Sequence, residues 1–288
     1  MRQHAAVPVV LVLAACGGGG PKVTLRFHPP AGAVYHYGIE QRVQVGADSG
    51  PLARMGRQQV IMHVFFTQTV KGPASDGHGT EVEVAFESIT MDMPGMRGGA
   101  NAMASALAGM QGSRAIMVVD PLGKILRSQY VNPPHVAVEL EKRISSGVNS
   151  AMFGFPERPV GRGDSWTMTT ELPLDDVPGI SASNKEVART TLTVREFRIA
   201  GADTSVVLDL KTEFPSEPIR LSSGGETGAI QLGGTMKGHQ VFSLSRGAIV
   251  DGEVRGTMTM RLTGGRLGPE GVSMKMDNEN SIVLLPGK

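Results

Sequence analysis

From Lys22 to His28 the chain alternates, with Val23, Leu25 and Phe27 apolar and Lys22, Thr24, Arg26 and His28 polar. A period of two marks a strand with one buried face. The pattern returns in RQQVIMHVFFTQTV and GTEVEVAFESITM, a long strand pair joined through KGPASDGHG. In the second of these, Val82, Val84 and Phe86 share one face and Glu81, Glu83 and Ala85 the other. RAIMVVDPLGKILRSQYV predicts a hairpin on Asp120-Pro121-Leu122-Gly123, with Pro and Gly where a tight turn needs them. Further strands are expected in EVARTTLTVREFRIAGADTSVVLDLKTEF, turning at Gly201-Ala202-Asp203, and in the hairpin VFSLSRGAIVDG. VRGTMTMRLTG, where Met258, Met260 and Leu262 alternate, and VSMKMDNENSIVLLP complete the series.

Two stretches change period. Within Ala100 to Gln111, Met103, Leu107 and Met110 recur at helical spacing. A second helix is predicted from NPPHVAVELEKRI onward, capped by Asn132 with Pro133 at its first position. Its stripe is Ala137, Leu140, Ile144, Val148 and Ala151. Each helix is apolar on one side only, so each should cover a sheet. About ten or more antiparallel strands are too many to stay flat. The expected fold is mainly β (α+β): a large curved antiparallel sheet or half-barrel, with two amphipathic helices over its concave face.

The two halves of the chain echo each other. PPAGAVYHYGIEQ begins at Pro29 and PVGRGDSWTMTTE at Pro159; in each, Pro is followed by Gly and then by an aromatic three residues on (Gly32 to Tyr35, Gly163 to Trp166). A long strand pair and a closing hairpin follow in both, with Gly123 matched by Gly247. Residues 23–288 are therefore expected to form one curved β domain built from pseudo-repeats 29–126 and 159–250.

The N-terminal stretch reads differently. Arg2 is followed by an apolar segment from Ala5 to Ala15, and then by Cys16, the single cysteine of 288 residues. That is the layout of an export signal. Leu13-Ala14-Ala15-Cys16 resembles the bacterial lipobox, whose cysteine is acylated and becomes the mature N-terminus. On that resemblance residues 1–15 are a lipoprotein signal peptide and residues 16–22 a lipidated Cys16 with a glycine-rich tether. Gly17, which is not the aspartate that retains lipoproteins in the inner membrane of enteric bacteria, favours the outer membrane, facing the periplasm. More than one acyl chain makes such attachment durable.

Pro30 to Tyr37 and Pro159 to Trp166 carry the patterns PxGxxYxY and PVxxGDSW. With the lipobox, they resemble an uncharacterised family of bacterial lipoproteins. More distantly, the expected layout resembles the half-barrels of the lipoprotein-localisation-factor group, which shelter acyl chains. That likeness is one of fold.

Composition and motifs narrow the chemistry. Lys plus Arg number 28 against 27 Asp plus Glu, spread along the chain. No basic cluster marks a phosphate-binding face, so no nucleic-acid partner is expected. His28, His36, His63, His78, His135 and His239 form no HxH or HExxH pair, and no metal or cofactor is expected. No GxSxG elbow, P-loop or full GxGxxG is present, so no enzyme activity is expected. Gly161-Arg162-Gly163-Asp164 reads as a turn in which Asp164 bonds backbone groups. Trp166 reads as a core aromatic that anchors the second half as Tyr35 anchors the first.

Sixteen methionines are harder to set aside. Met62, Met91, Met93, Met117, Met258, Met260, Met274 and Met276 fall in strands, and Met96, Met103 and Met110 in or near the first helix. Methionine packs adaptable cores and lines surfaces that accept varied apolar ligands. The function expected is a membrane-anchored, non-enzymatic lipoprotein binding an apolar or lipid-like ligand near Met103, Leu107, Met110, Met258 and Met260. The alternative is a structural module that docks to another envelope protein.

Overall fold

The computed structural model describes residues 20–48, 53, 56–94, 107, 109–132, 154–172, 181–182, 187–201, 203–215, 217–223, 226–264 and 270–287. The signal segment and Cys16 lie outside the described residues. So do the second expected helix beyond Asn132 and most of the first, including Met103. The two amphipathic helices are thus not part of the fold described below.

The described strands are β1 (Val34–Ala47), β2 (Gln58–Pro73), β3 (Thr80–Asp92), β4 (Arg114–Val119), β5 (Ile125–Asn132), β6 (Ser165–Glu171) and β7 (Ser181–Ala182). They continue with β8 (Val187–Ala200), β9 (Asp203–Glu213), β10 (Ile219–Ser223), β11 (Glu226–Ser243), β12 (Ala248–Gly264) and β13 (Val272–Leu284). All belong to one 13-stranded antiparallel sheet, in the order β5-β4-β3-β2-β1-β13-β12-β11-β9-β8-β6, with β10 and β7 continuing from β11. The path is open, ending at β5 on one side and β6 on the other. Mainly β and antiparallel, as expected, it runs β1 to β5 in sequence on one side of β13.

The sheet curls because its core demands it. One cluster of buried side chains gathers Val82 and Phe86 of β3, Val119 of β4, Leu192 and Val194 of β8, Val206 and Leu208 of β9, and Phe242 of β11. Strands so far apart in the sheet order can share one core only if their common face is concave. Bulges at Phe65/Phe66, Val194/Glu196 and Val241/Phe242 add twist. Between β11 and β12 the approach is so close that a Cβ on Gly238 would stand 1.9 Å from the Glu253 carbonyl, and one on Gly256 2.2 Å from that of Thr235. Only glycine fits there.

The expected Val23–Phe27 strand is not a sheet member. Its alternation is real, with Leu25 0% and Phe27 9% exposed. Yet it makes a single bridge, Val23 with Val160, and a bond from Phe27 N to the Pro121 carbonyl. The run instead lies across one end of the concave face. Arg26 fixes it by donating to the carbonyls of Pro156 at 3.0 Å and Glu157 at 2.9 Å. Phe155, packed edge-on to Phe242 at 4.7 Å, and Val160 fill the same end. Its corners are tied by polar groups. Tyr35 and Tyr37 donate to the carbonyls of Arg246 and Ile249. Ser243, itself buried, donates to the Asp203 carboxylate at 2.8 Å, joining the β8–β9 and β11–β12 turns.

The turns that open β1 and β6 are built alike. Gly32 and Gly163 both have positive φ, 79° and 84°. Gly32 N donates to Val70 O and Val70 N to Ala33 O; Gly163 N donates to Val194 O and Val194 N to Asp164 O. Gly123 and Gly247, also at positive φ, lie in the β4–β5 and β11–β12 turns.

Candidate functional site

Residues paired across antiparallel strands point to the same face, so the register maps the whole inner surface. At the packed end the row Phe86, Phe66 and Tyr37 belongs to the main core or packs against it. The next row is Ile89, Val64, Ile39, Ile282, Gly252 and Gln240. Then comes Met91, Met62, Gln41, Asn280, Val254 and Gly238, followed by Val60, Val43, Asn278, Gly256 and Met236. Beyond lie Val45, Met276, Met258 and Gly234, and last Ala47, Met274, Met260 and Leu232.

Seven methionines in these rows therefore share the inner face: Met62, Met91, Met236, Met258, Met260, Met274 and Met276. All are half-buried. Met91 packs against the main core and Met260 against a smaller cluster of Ile219, Ile230 and Leu232. The other five belong to neither cluster. They form a flexible, polarisable apolar surface at the end of the concavity that the N-terminal run does not fill.

The opposite face is charged. Along β13 the alternates of the inner residues are Lys275, Asp277, Glu279 and Ser281, and on β12 they include Glu253, Arg255 and Arg261. Ion pairs lace this face: Arg255 with Glu253 along β12 and, across strands, Arg255 with Glu279, Lys71 with Glu83 and Arg195 with Asp209. Lys71, and behind it Arg114, hold the Glu83 carboxyl below its ordinary range. Charge outside and apolar surface inside is the reverse of a lipid-facing barrel strand.

The four described members of the expected ligand set divide between two places. Leu107 and Met110 are core, 6% and 0% exposed, inside the main cluster. Their turn docks on β3, where Gly112 N donates to Phe86 O and Phe86 N to Ser113 O. Met258 and Met260 stand on the open part of the inner face, and Met103 lies outside the described residues. Met236 and the amides Gln41, Asn278 and Asn280 were not expected there. Alternation along SMKMDNENS, with Met274, Met276, Asn278 and Asn280 against Lys275, Asp277 and Glu279, is the sequence signal for two of the four, Asn278 and Asn280.

Two polar groupings could suggest other chemistry. His36 Nδ1 lies 2.9 Å from Thr67 Oγ1, which donates to Glu87. Since the hydroxyl proton goes to the carboxylate, His36 must donate to Thr67 and cannot act as its base. The trio is a hydrogen-bond chain across β1, β2 and β3 on the outer face. Asp164 accepts from Gly161 N at 2.9 Å and pairs with Arg158 and Lys22. The backbone donor first, and then these cations, hold its carboxyl low, so it serves the turn. Trp166 shares its inner row with Leu192, packs on the main core and donates from Nε1 to the Gly154 carbonyl at 2.7 Å.

No family model matches this chain, and no curated protein matches it. Among solved structures it is similar to one described as lipid–protein interactions in lipovitellin, with TM-score 0.50 and 11% identity over 90% of this chain. It spans about a quarter of that chain, 26% of its length. The likeness is one of fold. A second similarity, to DynF from the dynemicin biosynthesis pathway of Micromonospora chersina, has 9% identity over 96% of this chain and 92% of that one, at TM-score 0.26. That score is too low to carry weight.

Proposed function

We propose that this protein is a non-enzymatic lipoprotein that holds an apolar or lipid-like ligand on the inner face of its sheet. The observation that carries this reading is the set of half-buried methionines facing the end of the concavity left unfilled among the described residues. Apolar surface left half-exposed on one face of a folded sheet is a ligand or partner site by default. The shared fold with a lipovitellin structure, whose subject is lipid–protein interaction, supports the same ligand class.

The proposal includes an anchor. Acyl chains on Cys16 would tether the domain to the membrane, in the outer membrane facing the periplasm, and the lipobox-like Leu13-Ala14-Ala15-Cys16 supports this. It also includes an internal duplication of 29–126 and 159–250, supported by the matching turns at Gly32 and Gly163. A second reading, docking to an envelope protein, has support on the outer face, where Phe65 and Val283 stand 40% and 43% exposed on either side of Gly38.

Native mass spectrometry of the full chain extracted from its own membrane tests the ligand. A co-purifying lipid, reduced by Met258→Glu, is the expected result; a bare polypeptide mass shifts the balance to the docking reading. Metabolic labelling with a clickable fatty acid tests the anchor. Label should disappear in Cys16→Ser, and undiminished label ends the lipoprotein claim.

A further inference from the structure

The methionine rows are interrupted by amides. Gln41 and Asn280 are partners across β1 and β13, and Asn278 stands at the next inner position of β13, between Val43 and Gly256. Asn278 Oδ1 is buried with no hydrogen-bond partner among the described residues. Gln240 Oε1, on the same face of β11 opposite Gly252, is in the same condition. A buried acceptor without a donor is costly, far more so than one left in water. Those acceptors are already shut off from water, and a pure hydrocarbon laid on this face would offer them no donor.

We propose that the ligand is an acyl chain carrying a secondary amide, with the chain along Met62, Met258 and Met276 and the amide at Asn278. This rests on the lipid-binding reading above and sharpens it to a chemical class. The amide N–H supplies the donor that Asn278 Oδ1 lacks, and its carbonyl accepts from an amide NH₂ of the same band, Gln41 or Asn280. An ester has the carbonyl but no donor, so it satisfies half of the site. The band lies between the packed row of Ile39 and Ile282 and the methionine rows of Met258 and Met260. A linkage held there leaves the chain on methionine rather than against the closed core.

The test compares three probes with one label and one chain length: decylpyrene, pyrene-decanoic methyl ester and pyrene-decanoic N-methylamide. The full chain is held in dodecyl maltoside micelles, and energy transfer from Trp166, the single tryptophan, reports binding. The amide should bind about tenfold more tightly than the alkane, with the ester between them. In Asn278→Leu the amide-to-alkane ratio should fall to about one, with Gln41→Leu giving a smaller drop. Equal affinity of all three probes for the unmodified chain overturns the amide assignment and leaves the lipid-binding reading standing. A ratio that survives Asn278→Leu also overturns it. Binding of no probe defeats both, and shows the face to be covered by the chain itself. The probe comparison on the unmodified chain decides the matter even if a variant fails to fold.

Discussion

The two ends of the concave face are made by the same strands and the same alternation, yet they are different materials. At one end the side chains are mostly aromatic or branched, with Tyr37, Phe86, Val119, Leu192 and Leu208 buried beneath Leu25, Phe27, Phe155 and Val160. At the other end Met62, Met236, Met258, Met274 and Met276 are half-buried and belong to no cluster. A curled sheet cannot fill its own concavity; something must be laid into it. Among the described residues the chain supplies a plug, residues 22–28 and 154–160, at one end only. Rigid shapes suit an end filled by the chain itself, and unbranched methionine suits an end proposed to take a ligand.

The sharpest way to break this contrast is to delete side chains at each end. Phe155→Ala removes a ring packed against Phe242 in a closed core and should cost about 3–5 kcal/mol. Met276→Ala, on a face already half open to solvent, should cost about 1 kcal/mol. Chemical denaturation of both variants measures the difference. Equal losses would mean that the methionine end is as tightly filled as the other.

A smaller effect sharpens the packed end. Tyr37 is buried and donates to the Ile249 carbonyl at 3.0 Å. Burial, with Tyr35 beside it, pushes its phenol well above the ordinary value, and Arg246 offsets only part of this. The protonated form is thus the one the fold prefers. Its contribution is complete below the unfolded-chain value near 10.0 and is lost as pH rises toward the folded one. Stability should therefore fall as pH climbs past about 10, and Tyr37→Phe should flatten that fall. Tyr35, raised for the same reason, keeps a residue of it. At neutral pH the substitution costs about 1 kcal/mol for the lost bond. An unchanged alkaline slope would show that Tyr37 ionises freely.

Much of this contrast was legible in the sequence. Alternation located β2, β3, β8, β9 and β13, and Gly123, Gly201 and Gly247 marked the β4–β5, β8–β9 and β11–β12 turns. What alternation cannot tell is which partner completes a buried face. Val23–Phe27 has the strand pattern because it is buried on one side, but its cover is the concavity rather than a neighbouring strand. Residues 226–240 hide a long strand because Gly228, Gly233, Gly234 and Gly238 look like breakers; they are there because β12 lies too close for side chains. Met236 was missed with them. Leu107 and Met110 carry the spacing expected of a covering helix, and their burial makes them core, which period alone cannot separate from a ligand wall. The amides at 278 and 280 look like surface residues in a charged run, although they share the parity of Met274 and Met276, and the register puts them inside.

The smallest perturbation is the most direct probe of the open end. Oxidation of methionine adds one oxygen, follows the access of oxidant to sulfur, and converts an apolar side chain to a polar one. Met110 and Met117, 0% and 5% exposed at the packed end, should stay reduced under mild peroxide. Met62, Met236, Met258, Met274 and Met276 should be oxidised well before them, and peptide mass spectrometry reads each site separately. Bound acyl amide should protect these five and leave the rates of Met110 and Met117 unchanged, because the packed end is closed with or without it. If all seven sulfurs react at one rate only as the chain unfolds, the two ends are alike, and the methionine face is interior rather than a surface waiting for a ligand.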